Sequence, residues 1–199
     1  MTAITLPVSP GPDDVDFELI GYGLQLKPVA GGPEKRTALP GDRFRVSFNS
    51  GAFVDDCRTD LQGAVVAAQT AGETVQITWP QDGVTGIGTP LIAGADQLGS
   101  VLACDGFTPG VTVKRGWVFS VTYNSRPNIH MVTADTTANG SGVIAALPIG
   151  PVLRGSPADN AAMNFATPTL QGYLDGPGRK WTETGRLWAE HAISIEEEE

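Results

Sequence analysis

The chain has few basic residues and no long apolar run, and each shortage excludes a class of protein. Its 199 residues include 13 Lys and Arg against 22 Asp and Glu, a formal net charge of −9. Binding to nucleic acid depends largely on Lys and Arg that release counterions from phosphates, so no nucleic-acid partner is expected. No window approaches the roughly 20 apolar residues of a membrane-spanning helix, and Met1–Pro12 lacks the pattern of a secretory signal. A soluble protein without a membrane partner is expected.

Cysteine and histidine are also scarce. Cys57 and Cys104 cannot supply a disulfide framework or a Cys-x-x-Cys metal set; two buried, reduced thiols are expected, with a bridge between them left open. His130 and His191, the only histidines, both fall on predicted strands, where a core or interface histidine is commoner than a general base.

Catalytic motifs are absent as well. The chain has no Gly-x-Ser-x-Gly elbow, no His-Glu-x-x-His pair and no phosphate-binding loop. The acidic groups at residues 13–16 and 55–60 fit an alternating strand and the start of a helix better than a Ca²⁺ site. The sequence therefore predicts a protein that is not an enzyme and that has no catalytic residues, no metal and no cofactor.

Turn-forming residues are abundant, with 25 Gly and 15 Pro. Together with short alternating segments they predict a mainly β fold in which long helices are few. One helix is predicted over residues 55–69, where Cys57, Leu61, Val65 and Ala68 recur at helical spacing and Gly72 follows as a stop. Residues 28–40 are too rich in Pro and Gly for a core strand and are predicted as a loop or an extended arm.

Apolar and polar residues alternate in three segments that lie far apart: residues 14–19, 43–48 and 181–195. The last segment is predicted as one long strand that packs against the first two, burying Leu187, Ile193 and Ile195 against residues such as Phe17 and Phe44. Glu196–Glu199 are expected to form a solvated tail because like charges repel. The pattern predicts a discontinuous β domain, residues 1–84 and 173–199, interrupted by an inserted domain, residues 85–172.

Strands predicted at short intervals within residues 85–172 are typical of a small antiparallel β-sandwich. Gly-rich hinges are predicted near residue 83 and over residues 172–178, where an insertion disturbs the host domain least. One hairpin of the insert carries a candidate carbohydrate site in which an aromatic ring stacks on a sugar and polar groups orient it. Its residues are Trp117, Tyr123, Arg126, Asn128 and His130. The competing interpretation is that Trp117, Phe119, Val121 and Tyr123 are a core stripe of one strand.

Several segments resemble a family of tail-tip proteins from long-tailed bacteriophages and prophages, and the resemblance covers most of residues 1–172. The segments that carry it are Ile4–Pro7, Gly99–Leu102, Gly106–Gly110, Val113–Ser120, Ala138–Gly142, Leu147–Ile149 and Ser156–Asp159. The resemblance implies a distal tail protein: a split β-barrel with one helix that carries an inserted galectin-like β-sandwich. It also implies a homohexameric ring, the tail tube and the tail hub or tip as partners, and a place in a virion assembled in the bacterial cytoplasm. It implies no catalytic residues.

Two other functions fit the same pattern. The first is a carbohydrate-binding module for host attachment, with a host-surface glycan as partner. The second is another virion component, such as a tail terminator or a capsid decoration protein. A glycan array would identify the first function, and the position of the protein in an intact particle would identify the second.

Overall fold

The computed structural model describes residues 3–6, 14–29, 31–37, 41–50, 55–81, 83–176, 181–183 and 189–198. They include one helix, α1 (Asp55–Ala71), and the strands β1 (Ile4–Thr5), β2 (Asp14–Ile20), β3 (Leu24–Leu26), β4 (Lys35–Thr37), β5 (Arg43–Ser50), β6 (Val75–Thr78), β7 (Gly88–Ile92), β8 (Gly99–Phe107), β9 (Thr112–Val113), β10 (Val118–Tyr123), β11 (Arg126–Val132), β12 (Thr136–Thr137), β13 (Ile144–Leu153), β14 (Met163–Asn164), β15 (Thr169–Leu174), β16 (Trp181–Glu183) and β17 (Ala189–Glu197). The predicted mainly β class is confirmed.

The chain divides into two compact units, each built from separate segments. Residues 1–19, 44–78 and 170–198 form the first unit, and residues 20–43 and 79–169 form the second. The sequence placed the insertion at residues 85–172; whether that segment folds by itself remains a prediction.

One seven-stranded sheet organises the first unit, in the order β1-β6-β15-β17-β5-β2, with β16 also paired to β17. Strand β17 is antiparallel to both β5 and β15, and it places Ile193 opposite Phe48 and Ile195 opposite Val46. The predicted pairing of the final strand with residues 43–48 is therefore confirmed. Ile193, Ile195, Val46 and Phe48 are all buried, as the alternation along each strand requires.

Helix α1 forms where the sequence predicts it and runs two residues further. Leu61, Val65 and Ala68 are buried at helical spacing. The helix ends because Gly72 adopts a left-handed backbone with φ 64°, which lets the Glu73 N–H donate to the Ala68 carbonyl at 3.1 Å. This is the hydrogen bond of a Schellman cap.

Two predictions about the end of the chain are wrong. Residues 181–195 are not one strand: β16 and β17 pair antiparallel, with Trp181 opposite His191, and residues 184–188 and the side chain of Leu187 lie outside the described residues. A hairpin and a continuous strand share the same alternation, so the pattern could not separate them.

The acidic end is not a solvated tail over residues 196–198. Glu197 is 1% exposed and accepts a hydrogen bond from the Phe44 N–H at 3.3 Å, while Glu196 accepts one from Arg45 at 2.7 Å. Backbone pairing continues as well, since the Glu198 N–H donates to the Gln171 carbonyl at 3.1 Å. Specific partners outweigh like-charge repulsion; Glu199 lies outside the described residues.

The predicted hinge at residues 172–178 begins inside a strand. Gly172 belongs to β15 and lies opposite Glu197 of β17. A Cβ at residue 172 would collide with the Glu196 carbonyl oxygen, so this glycine permits close strand pairing and is not a flexible joint. Residues 177–180 lie outside the described residues.

A six-stranded sheet, in the order β14-β10-β11-β13-β8-β7, contains most of the core of the second unit. Its two edges meet through a bridge between Leu91 and Ala162, where the Ile92 N–H donates to the Ala161 carbonyl at 2.9 Å. Strand β13 runs through Pro148 and Pro151 to Leu153, although prolines are rare inside sheets.

Candidate functional site

The five residues of the candidate carbohydrate site lie on or beside the β10–β11 hairpin. A two-residue turn joins the strands, and both turn residues, Asn124 and Ser125, have positive φ (53° and 65°). Such a turn matches the twist of the paired strands and fixes their register. Phe119 consequently lies opposite His130, and Tyr123 opposite Arg126.

His130 is completely buried, and both of its ring nitrogens are engaged. Its Nε2 lies 3.1 Å from the Tyr123 hydroxyl and its Nδ1 lies 3.0 Å from the Pro151 carbonyl. A neutral ring that donates from Nδ1 and accepts at Nε2 satisfies both contacts. Burial lowers the pKa of His130 to about 4; the Pro151 contact opposes this shift and the charge of Arg154 adds to it. No ring nitrogen is left for a substrate or a metal.

Asn128 has equally complete local bonding. It is 3% exposed; its side-chain amide donates to the carbonyls of Tyr123 (3.1 Å) and Arg126 (2.9 Å), and its oxygen accepts from Arg154 at 3.2 Å. Tyr123 is 4% exposed and belongs to the hydrophobic core of the second unit. Trp117 is partly buried and packs against that core. Tyr123, Asn128 and His130 form a buried polar network beside the core, whereas Trp117 and Arg126 are only half-buried. The burial of the three favours their structural interpretation.

Cys104 is a free, fully buried thiol. Burial, with a smaller contribution from the charge of Asp105, raises its pKa to about 12, so it remains a protonated thiol at neutral pH. The side chains of Cys57 and His191 lie outside the described residues. Within the described part of the chain, no three His, Cys, Asp or Glu are grouped so that they could hold a metal ion, and no helix has the length and apolarity to cross a membrane.

A more distinctive feature is β2, the last strand of the seven-stranded sheet among the residues that the structure describes. Arg45 of β5 contacts Glu18 of β2 at 3.3 Å, Glu196 of β17 at 2.7 Å and Asp175 at 3.6 Å. The hydrogen bond to Glu196, with the charges of the other two carboxylates, raises the pKa of Arg45 against the opposing effect of desolvation. These contacts assign Glu18 to the polar face of the sheet.

Because side chains alternate along a strand, Phe17 and Leu19 lie on the opposite face from Glu18, the face on which β5 buries Phe44 and Val46. Yet Phe17 is 42% exposed and Leu19 is 56% exposed. The prediction that Phe17 is buried is therefore wrong. The alternation correctly indicates a face, but it does not show what covers that face.

In the β3–β4 ribbon, residues 21–37, the loop predicted for residues 28–40 is wrong only at Lys35–Thr37, which form β4; residues 38–40 lie outside the described residues. Leu24 lies opposite Thr37 and Leu26 opposite Lys35. Every side chain of the ribbon that the structure describes is exposed, including Leu24 (54%), Leu26 (52%) and Val29. The alternation of leucines before Lys27 was a usable signal for β3, but the Pro and Gly content of the next residues concealed β4.

A groove of about 570 Å³ lies beside β7 and β14 in the second unit. Buried side chains contribute to its wall, among them Ile87, Met163 and Phe165, and none of the described residues that line it is charged. None of the five carbohydrate candidates lies in this groove.

No protein-family model and no curated protein matches the chain.

Proposed function

We propose that this chain is a structural subunit of a bacteriophage tail tip, a distal tail protein whose homohexameric ring joins the tail tube to the hub. The family resemblance supports this proposal, as does a first unit that is assembled from three separated segments around one sheet. In this proposal the first unit forms the ring, and residues 79–169 are carried by it.

The observation that carries the proposal is the exposed apolar face at β2. Phe17 and Leu19 place two exposed apolar side chains on the same face of β2, and exposed apolar surface favours association with another chain. A closed ring requires a heterologous contact, in which one surface of a subunit meets a different surface of its neighbour. The apolar face of β2 supplies one of these two surfaces.

Native mass spectrometry of the purified chain tests the ring. Wild-type protein should form a closed species of about six copies, and the Phe17→Thr/Leu19→Thr variant should remain monomeric with an unchanged circular dichroism spectrum. Threonine keeps the strand preference while removing apolar surface. Val66→Thr, which changes a 45% exposed side chain on α1, is the matched control and should leave the ring intact.

A shortened chain tests whether the first unit, and not residues 79–169, forms the ring. Strands β6 and β15 are hydrogen-bonded neighbours, so a short Gly/Ser linker can replace residues 79–169 between Thr78 and Leu170. The shortened chain should still form rings, whereas residues 79–169 alone should stay monomeric. The opposite result would assign the ring to the second unit, and electron microscopy of a particle that places the protein away from the tail tip would contradict the proposed function.

A further inference from the structure

The β3–β4 ribbon combines exposure, apolar side chains and a charge opposite to that of the rest of the chain. Ten large apolar side chains of the described residues are exposed, and four of them, Tyr22, Leu24, Leu26 and Val29, lie in the ribbon. A two-stranded ribbon is marginal in water when nothing covers it, and leucines at 54% and 52% exposure do little to stabilise it within its own chain.

The charge of the ribbon indicates what covers it. Residues 21–37 contain Lys27, Lys35 and Arg36 against a single acidic residue, Glu34, which gives a net charge of +2. The whole chain carries −9, so the remainder carries −11. An exposed cationic segment on a strongly anionic chain is electrostatically complementary to another copy of the same chain.

We infer that the β3–β4 ribbon is a docking arm that packs its leucine face against an acidic surface of a second copy of this chain. Leu24 and Leu26 are two residues apart on β3, so both point to the same side of the ribbon. Lys35 lies opposite Leu26 on β4, and Lys27 forms an ion pair with Glu34 at 3.2 Å. Apolar anchors beside a cation fit a partly apolar, acid-rimmed surface. The inference extends the proposed self-assembly to a second, separate contact.

Sedimentation velocity on the full-length chain tests this contact over a range of protein concentrations. The Leu24→Thr/Leu26→Thr variant should weaken self-association about tenfold or more, while its circular dichroism spectrum and melting temperature match the wild type. Lys35→Glu should weaken it as well, and raising the salt from about 0.05 to 0.5 M should weaken the wild type but affect Lys35→Glu less. The matched control is Leu98→Thr/Val101→Thr, two exposed apolar residues outside the ribbon, which should associate like the wild type.

The outcomes separate this inference from the proposed ring. Ring formation that is unchanged in the ribbon variants overturns the docking arm and leaves the ring in place. Ribbon-dependent association that stops at a dimer supports the arm and contradicts the ring, and a wild type that stays monomeric at every concentration contradicts both. Binding of anionic lipid vesicles that the leucine variant abolishes, with self-association unchanged, would assign the ribbon to a membrane and overturn the inference.

Discussion

At the scale of single residues, Gly172 shows how closely two strands approach. In Gly172→Ala the new methyl group would meet the Glu196 carbonyl oxygen, so β15 and β17 must shift apart. We expect the first unit to lose about 1–3 kcal/mol, measured by urea unfolding. Gly63→Ala is the control: its Cβ meets nothing within 4 Å on α1, and the better helix former should add about 1 kcal/mol. Equal effects of the two variants would contradict the close approach.

His130 gives the second unit a stability that depends on pH. Its folded pKa of about 4 lies below the ordinary value of 6.5, so the unfolded chain binds the extra proton first as the pH falls. The stabilising contribution is complete above about pH 6.5 and is lost progressively down to about pH 4, a change on the order of 3 kcal/mol. His130→Gln should be less stable at pH 7 and should show a shallower loss across this window in thermal unfolding. An identical pH slope for both proteins would contradict the role of His130.

At the scale of elements, β17 is the strand on which the first unit depends most. Ile195 is fully buried and faces Val46 across the pair with β5. Ile195→Ala should cost about 2–5 kcal/mol through lost burial and the cavity that remains, which is a large part of an ordinary domain stability. Calorimetry should show the transition of the first unit shifted down while that of the second unit stays in place. Val66→Ala, at an exposed position, should change neither transition by more than about 0.5 kcal/mol.

In the second unit, the side chain of Gln81 links β10 to Phe165 by hydrogen bonds. Its side-chain amide donates to the carbonyls of Val118 and Phe165, both at 2.9 Å, and its oxygen accepts from the Val118 N–H at 2.6 Å. The fragment of residues 79–169 should therefore unfold cooperatively by itself, and Gln81→Ala should destabilise it by about 1–3 kcal/mol in urea. Thr122→Ala, at an exposed position of β10, is the neutral control. A fragment that gives the NMR spectrum of a disordered chain would contradict its autonomy.

At the scale of the whole molecule, the sequence predicts what depends on local pattern and fails where a distant partner decides. The alternation at residues 43–48 and the helical spacing up to Ala68 identify β5 and α1, and the pairing of β5 with the final strand was predictable from matching apolar faces. The burial of Glu197 was not predictable, because it depends on the Phe44 N–H 153 residues earlier in the chain.

The candidate sites follow the same rule. The sequence placed Tyr123 and His130 on one hairpin, as observed, but the Pro151 carbonyl that completes the bonding of His130 comes from another part of the chain. Likewise, the apolar face of β2 was visible in Phe17 and Leu19, whereas its exposure depends on where the sheet ends. Pattern gives the orientation of a side chain, and tertiary structure gives its surroundings.

The central position of β17 has a consequence for synthesis on the ribosome. In the order β1-β6-β15-β17-β5-β2, this strand is the connection between β1-β6-β15 and β5-β2, yet its residues 189–197 are translated after those of every other strand in the sheet. Residues 79–169 leave the ribosome earlier and can complete their own sheet first. Strand β5 meanwhile emerges more than a hundred residues before β17, so the edge of β5 that pairs with β17 stays unpaired in the nascent first unit until translation reaches β17.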